Sequence, residues 1–368
     1  MYLRHLSLTN FKNIAELSLD FSAKINCFLG NNGMGKSNLL DAVHYLSFCR
    51  SFAGMTDTQL IRRGEEFTTA RAAYMRRDTP EELTLGITRG KRKSLKRGGK
   101  EYARLSEHIG TFPLVLVSPA DIDLIQGPAE ERRRWTDMVI SQSDRRYLDA
   151  LIHYNSGLEQ RNRLLRANIV DHNLYDAIEC AMEAPAAYIH RVRKEWTERL
   201  SGIFMHYHRA IAGESGEEVN LSFTGSLDKS PDGSLVSLLQ GARRHDETVR
   251  HTTVGPHRDD IEMHLDGMPM RRAGSQGQCK TFTVALRLAQ YDFLHTATGI
   301  KPILLLDDIF DKLDSQRVER IMAMVTSDEF GQIFVTDTNR DHLDAIMSRT
   351  GGDYRLWTVD NGHFSPAN

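Results

Sequence analysis

The sequence predicts an α/β protein: a mixed sheet with flanking helices, discontinuous along the chain and interrupted by a short helical arm. Three observations predict it. A buried strand pattern over residues 25–29 runs straight into a glycine-rich loop and then into helical spacing. A second aliphatic run, residues 303–306, ends in Asp307 and Asp308. About 270 residues lie between the two, far more than the dozen or so that one strand-to-strand crossover uses. The head is therefore expected over 1–120 and 245–368 (lobe I), with 121–244 inserted as the arm (lobe II).

Leu3, Leu6 and Leu8, then Leu17, Leu19 and Phe21, alternate as two amphipathic strands around a turn at 10–13. After the strand at 25–29 and its loop, Leu39, Leu40, Val43 and Leu46 fall at helical spacing. Residues 67–117 are β-rich, with Leu83, Leu85 and Ile87 alternating beside a basic connection that reads as a polar hairpin. From 121 to 244 the period changes: Leu148, Leu151, Ile152, Leu158 and Leu165, then Ile178, Ile189, Trp196, Leu200 and Phe204, trace long helices with a kink expected at Pro185. Strand patterning resumes after Gly255. A helix with Phe282, Leu286, Ala289 and Phe293 on one face precedes the Asp307 strand, and residues 333–336 form a last strand. No 20–50-residue period repeats, which excludes solenoids and propellers.

The 368 residues are enough for two or three lobes, and 40% apolar with 26% charged residues is a globular composition. Lys and Arg number 47 against 49 Asp and Glu, which excludes a uniformly basic coat but allows a local basic patch. Cys27, Cys49, Cys180 and Cys279 never form a C-x-x-C pair, so neither a zinc site nor a disulfide framework is expected. No run of 18 apolar residues and no signal sequence is present; the expectation is a cytoplasmic protein without a membrane partner.

Gly30, Asn31, Asn32, Gly33, Met34, Gly35, Lys36 and Ser37 match G-x-x-x-x-G-K-[ST] between strand and helix. In this motif backbone N–H groups surround phosphate oxygens, the lysine reaches the outer phosphates and the hydroxyl ligates Mg2+. Asp307 is expected to complete the metal shell, while Asp308 orients or deprotonates the attacking water, giving Lys36 and Asp308 the catalytic roles. Ahead of the preceding helix, Ser275, Gln276, Gly277 and Gln278 form a polar turn that reads equally as an N-cap or as an anion-binding loop.

The connection from Arg89 to Arg104 carries eight cations against Glu101 alone. Its charge density suits a phosphate backbone, and its scarcity of aromatics argues against base stacking; a solvated hairpin tip is the other reading. Lys91, Arg92, Lys93, Lys96 and Arg97 are the candidate DNA contacts, with no intramolecular carboxylate partner expected. Arg132, Arg133 and Arg134 are consecutive, so on a helix they cannot all face one ligand.

With these residues in view, the chain resembles the RecF family of bacterial recombination mediators, relatives of the SMC and ABC ATPase heads. The resemblance runs nearly end to end through Leu8-Thr9-Asn10-Phe11-Lys12-Asn13-Ile14, the phosphate loop, Cys49-Arg50-Ser51-Phe52, Ser118-Pro119, Arg132 to Arg134, Gly255-Pro256-His257-Arg258-Asp259-Asp260, the Ser275 loop, Asp307-Asp308 and Leu313-Asp314. It implies an ABC/SMC-type ATPase head that binds ATP and Mg2+, with Lys12 and Asn13 beside the nucleotide. It also implies an ATP-dependent head-to-tail homodimer in which each Ser275 loop caps the other subunit's nucleotide. The implied role is in recombinational repair: binding DNA at duplex to single-strand boundaries, working with RecR and RecO to load RecA, with weak DNA-stimulated hydrolysis as the release switch. Two competing classes share the ATP motifs: a membrane transporter's ATPase subunit and a metabolic P-loop enzyme. Asp337 in place of a transporter's switch histidine, and the basic hairpin, weigh against them.

Overall fold

The computed structural model describes residues 1–213, 216–310, 313–348 and 353–367. The chain divides into two compact units, Met1–Asp121 with Lys280–Asn368, and Ile122–Cys279. The first unit begins with β1 (Tyr2–Phe11), β2 (Ile14–Asp20), β3 (Ile25–Leu29), α1 (Lys36–Phe48), the single turn α2 (Asp57–Leu60), β4 (Phe67–Arg76), β5 (Thr79–Thr88), β6 (Ser94–Arg97), β7 (Lys100–Glu101) and β8 (Leu114–Val117). The second holds α3 (Asp123–Gln126), α4 (Ala129–Ser143), α5 (Arg145–Ala167), α6 (His172–Ala212), β9 (Val219–Thr224), α7 (Leu235–Val249), β10 (Asp260–Leu265), β11 (Met268–Pro269) and α8 (Met270–Ala273). The chain passes back along α9 (Gln276–Thr298), then through β12 (Ile303–Asp307), α10 (Ser315–Val325), β13 (Ile333–Asp337), α11 (Arg340–Met347), β14 (Tyr354–Asp360) and β15 (His363–Pro366).

The first unit has two six-stranded sheets. One is antiparallel, in the order β2-β1-β4-β5-β6-β7. Leu3, Leu6 and Leu8 are all buried although Leu3 and Leu6 are three apart; the register of β1 against β4 shifts between Leu3 and His5, and this irregularity absorbs the extra residue. The other sheet runs β15-β14-β3-β13-β12-β8, parallel except at β15. Its central strands are continuous apolar runs because helices cover such strands on both faces. Phe28 stacks on Trp357 and Phe334 at centroid distances of 5.1 and 6.2 Å. In α9, Val284, Ala285 and Leu288 are buried along with Phe282, Leu286, Ala289 and Phe293, so more than the one expected face is covered.

In the second unit α5 and α6 form a helical hairpin, and α6 remains helical through Pro185. The inserted region is not purely helical. β9 pairs with β10, with Leu221 opposite Met263 and Phe223 opposite Ile261, so the expected return to the head at 245 moves to 280. The Gly255 to Asp260 run is held inside this unit. The Tyr154 hydroxyl lies 2.7 Å from His257 Nδ1, Asp259 accepts from Arg193 at 2.9 Å, and Asp260 accepts from both arms of Arg132 at 2.7 and 2.8 Å. Arg133 donates to the Asp259 carbonyl, and Arg134 pairs with Glu130 and Glu131 on its own helix. The three consecutive arginines thus have intramolecular partners. No helix among the described residues is long and apolar enough to cross a membrane.

Candidate functional site

The phosphate loop leaves β3 at Gly30 and enters α1 at Lys36. Gly35 adopts φ 112°, and a Cβ there would come within 2.8 Å of the Asn13 side chain; a Cβ at Gly30 would meet the Val359 carbonyl oxygen at 2.4 Å. Only glycine fits either position. Asn13 Nδ2 donates to the Met34 carbonyl at 3.2 Å, and Asn38 donates to Asn13 Oδ1 at 2.8 Å, so Asn13 braces the loop from β1's turn. Lys36 is buried, with Nζ donating to the carbonyls of Gly30 at 2.6 Å and Asn31 at 3.1 Å. Asn31, Asn32 and Gly33 form the exposed crown of the loop.

Parallel pairing brings the acidic pair to this loop. Asp307 is level with Thr336, and Asp337 with Leu29, at the carboxyl ends of adjacent strands. Ser37 Oγ donates to Asp307 Oδ1 at 2.8 Å, and Thr336 Oγ1 donates to the same oxygen at 2.7 Å. Burial raises the Asp307 carboxyl above the usual range, against the lowering hydrogen bonds from Thr336 and Ser37. A desolvated carboxylate beside a hydroxyl is a hard-oxygen donor set suited to Mg2+. Asp308 follows in a left-handed conformation, φ 45°, with its N–H directed to Thr336 Oγ1 at 3.1 Å.

Lys12 precedes Asn13 in the turn between β1 and β2. Its Nζ lies 2.5 Å from Asp41 Oδ2, with both side chains buried, so its charge is balanced within the fold. Asp41 also accepts from Ser51 Oγ at 2.6 Å and the Phe52 N–H at 2.8 Å, anchoring the 49–52 segment to α1.

In the second unit Ser275 and Gln278 make a reciprocal cap on α9: the Gln278 N–H donates to Ser275 Oγ at 3.3 Å and the Ser275 N–H donates to Gln278 Oε1 at 2.8 Å. Gln278 Nε2 donates in addition to Glu217 at 2.9 Å. Ser275 and Gln276 remain exposed, and Gly277 is half-buried.

In the basic connection, Lys93 and Arg97 have intramolecular partners, contrary to expectation. Lys93 is an internal strut: Nζ donates to the Tyr45 hydroxyl at 2.8 Å and the Cys49 carbonyl at 2.6 Å, and lies 3.2 Å from Asp57. It thereby supplies a cation to the C-terminus of α1, whose own last turn has none. Arg97 forms a two-pronged pair with Glu81 at 2.6 and 2.8 Å. The antiparallel β5–β6 pairing brings these chain-distant partners together. Lys91, Arg92 and Lys96 are exposed and, among the described residues, have no ion-pair partner.

A family model, the RecF/RecN/SMC N terminal domain, matches residues 2–354. DNA replication and repair protein RecF of Parabacteroides distasonis is 46% identical over 366 residues, covering 100% of this chain and 99% of that protein. The chain belongs to the RecF family. RecF of Bacteroides thetaiotaomicron is likewise 46% identical, with 98% of each chain covered. A solved structure of the recombination mediator protein RecF-ATP in the RecFOR pathway matches with a TM-score of 0.88 at 28% identity, covering 100% of this chain and 98% of that one. A Pyrococcus furiosus Smc head domain, at 18% identity and a TM-score of 0.60, shares the fold. The architecture is the ABC/SMC-type ATPase head, and RecF membership sets aside the transporter and metabolic-enzyme classes.

Two residues that organise this RecF-family site carry no readable signal of their own. Thr336 joins Asp307 to the backbone of Asp308, yet in sequence it is only a β-branched residue ending a strand. Asp41 reads as one polar residue on an apolar helix, although it accepts three hydrogen bonds or ion pairs.

Proposed function

We propose that this RecF-family chain is a cytoplasmic, ATP-dependent DNA-binding protein of recombinational repair. It binds ATP and Mg2+ at residues 30–37 and pairs head to tail, the exposed Ser275 loop of each subunit capping the other's nucleotide. It acts on DNA at duplex to single-strand boundaries and works with RecR and RecO to load RecA, while slow DNA-stimulated hydrolysis releases it. The observation that carries the reading is the 2.8 Å contact of Ser37 with Asp307, which joins the phosphate loop and the acidic strand into one site.

Lys36 and the loop N–H groups bind the phosphates, with Asn13 holding the loop's shape. Ser37 and Asp307 would hold Mg2+, which when bound neutralises charge on the phosphate oxygens. Thr336 fixes the Asp307 carboxylate, and Asp308 positions the attacking water and accepts its proton. Hydrolysis within a paired site uses residues of both subunits, so turnover and dimer lifetime are linked.

Ser275→Arg tests the pairing. Loss of the N-cap costs about 1 kcal/mol, so the fold is retained. The subunit is expected to bind ATP normally but to sediment as a monomer at any ATP concentration; an intact ATP-induced dimer would leave the loop a helix cap only.

The DNA surface is tested through Lys91, Arg92 and Lys96 rather than the internally paired Lys93 and Arg97. Each neutralised phosphate contributes about 0.9 to the slope of log affinity against log salt. Replacing all three by Glu is expected to flatten that slope by roughly two to three units and weaken binding at all sequences. Duplex titrations at several salt concentrations with ATP present provide the check. An unchanged slope would make the hairpin a solvated tip and move the DNA contacts elsewhere.

A further inference from the structure

An Asp–His pair stands beside the phosphate loop. Asp337 is the last residue of β13, the strand between β3 and β12. Its carbonyl accepts the Gly30 N–H at 3.3 Å, and Gly30's own carbonyl accepts Lys36 Nζ. Its carboxylate is buried, accepting the Asn339 N–H at 2.8 Å through Oδ1 and lying 2.8 Å from His342 Nδ1 through Oδ2. A carboxylate only accepts here, so Nδ1 carries the proton and the ring's orientation is set. Nε2 makes no hydrogen bond among the described residues, and the His342 side chain is 33% exposed. The other face of the arrangement is Phe310, two residues after Asp308, whose ring meets the imidazole edge to face at 5.6 Å.

Helix capping does not explain the pair, because Asn339 already caps α11 through the Asp341 N–H at 2.9 Å. Core packing does not explain it either, since the buried side of α11 is Leu343, Ile346 and Met347. The pair is tied at one end to Gly30 and at the other to the loop that follows Asp308. In parallel sheets, ligands bind at the carboxyl ends of such strands.

We infer that His342, oriented by Asp337, is a further residue of the nucleotide site and reads the terminal phosphate that distinguishes ATP from ADP. This rests on the ATP reading above. With a proton on each nitrogen, the ring donates Nδ1–H to Asp337 and Nε2–H to a phosphate oxygen. Asp337 is the positioning residue of the pair.

The test is equilibrium binding of a non-hydrolysable ATP analogue and of ADP, each with Mg2+, to the full chain. His342→Ala is expected to weaken the analogue about five- to twentyfold while ADP affinity changes less than twofold, and Asp337→Asn is expected to act in the same direction. Equal weakening of both nucleotides, or of neither, would overturn the inference. A second readout is the nitrogen-15 spectrum of the imidazoles, with the His342 signal assigned from His342→Ala. That signal should report a protonated Nδ1 and should shift with the analogue but not with ADP; no difference between the nucleotides would equally overturn the inference. Lys36→Met separates the two levels: if it too leaves analogue binding intact, the nucleotide site itself is wrong, whereas loss there with no effect at His342 rejects only the histidine's part.

Discussion

Lys36→Met is expected to abolish measurable ATP binding. The ammonium is the loop's only cation; it is buried and pre-aimed by the carbonyls of Gly30 and Asn31. Charge-assisted hydrogen bonds to phosphate are the strong ones, and losing roughly 3 kcal/mol or more weakens affinity by at least about a hundredfold. Methionine preserves the length and apolar stem of the side chain, and the two released carbonyls lie in a loop that water reaches. The thermal unfolding transition without nucleotide should therefore stay near that of the parent chain. Calorimetric titration with ATP and Mg2+ measures the loss, and normal affinity would reject the assignment of residues 30–37.

Asp308→Asn should behave in the opposite way, keeping ATP and losing turnover. The metal-side carboxylate of Asp307 stays in place with its bonds from Ser37 and Thr336. Asparagine tolerates the left-handed backbone that Asp308 adopts at φ 45°, so the loop need not rearrange. What disappears is the group proposed to take the water's proton, an effect of about 10²- to 10⁴-fold on the chemical step. Single-turnover hydrolysis reads this directly, and the paired state should persist in proportion. An unchanged rate would assign the water-side role to another residue.

The phosphate loop and the Asp307–Asp308 strand were legible because each is a local pattern: glycine spacing in one, four aliphatics before two acids in the other. Their meeting follows from the need for a metal ligand, and parallel pairing of β12, β13 and β3 carries it out. Lys93 shows where such reading stops. Its neighbours in the chain are basic and exposed, and nothing local reveals that Tyr45, Cys49 and Asp57 lie within its reach. Arg97 is the same case, since Glu81 meets it only across the β5–β6 pair. β9 carries little local signal because Val219, Leu221 and Phe223 form one short alternation after a 41-residue helix, and its partner β10 is far along the chain. Charge density reports a surface only after the partners brought in by tertiary pairing have been subtracted.

The central claim is that ATP joins two copies of this chain, and sedimentation velocity of the unmodified protein tests it most directly. The protein is run without nucleotide, with ADP and with ATP, each with Mg2+ and with or without gapped DNA. A monomer without nucleotide and with ADP, converting to a dimer with ATP and persisting on the DNA, is the predicted result. One sedimenting mass in all three nucleotide conditions, at concentrations where ATP binding is saturated, would contradict it.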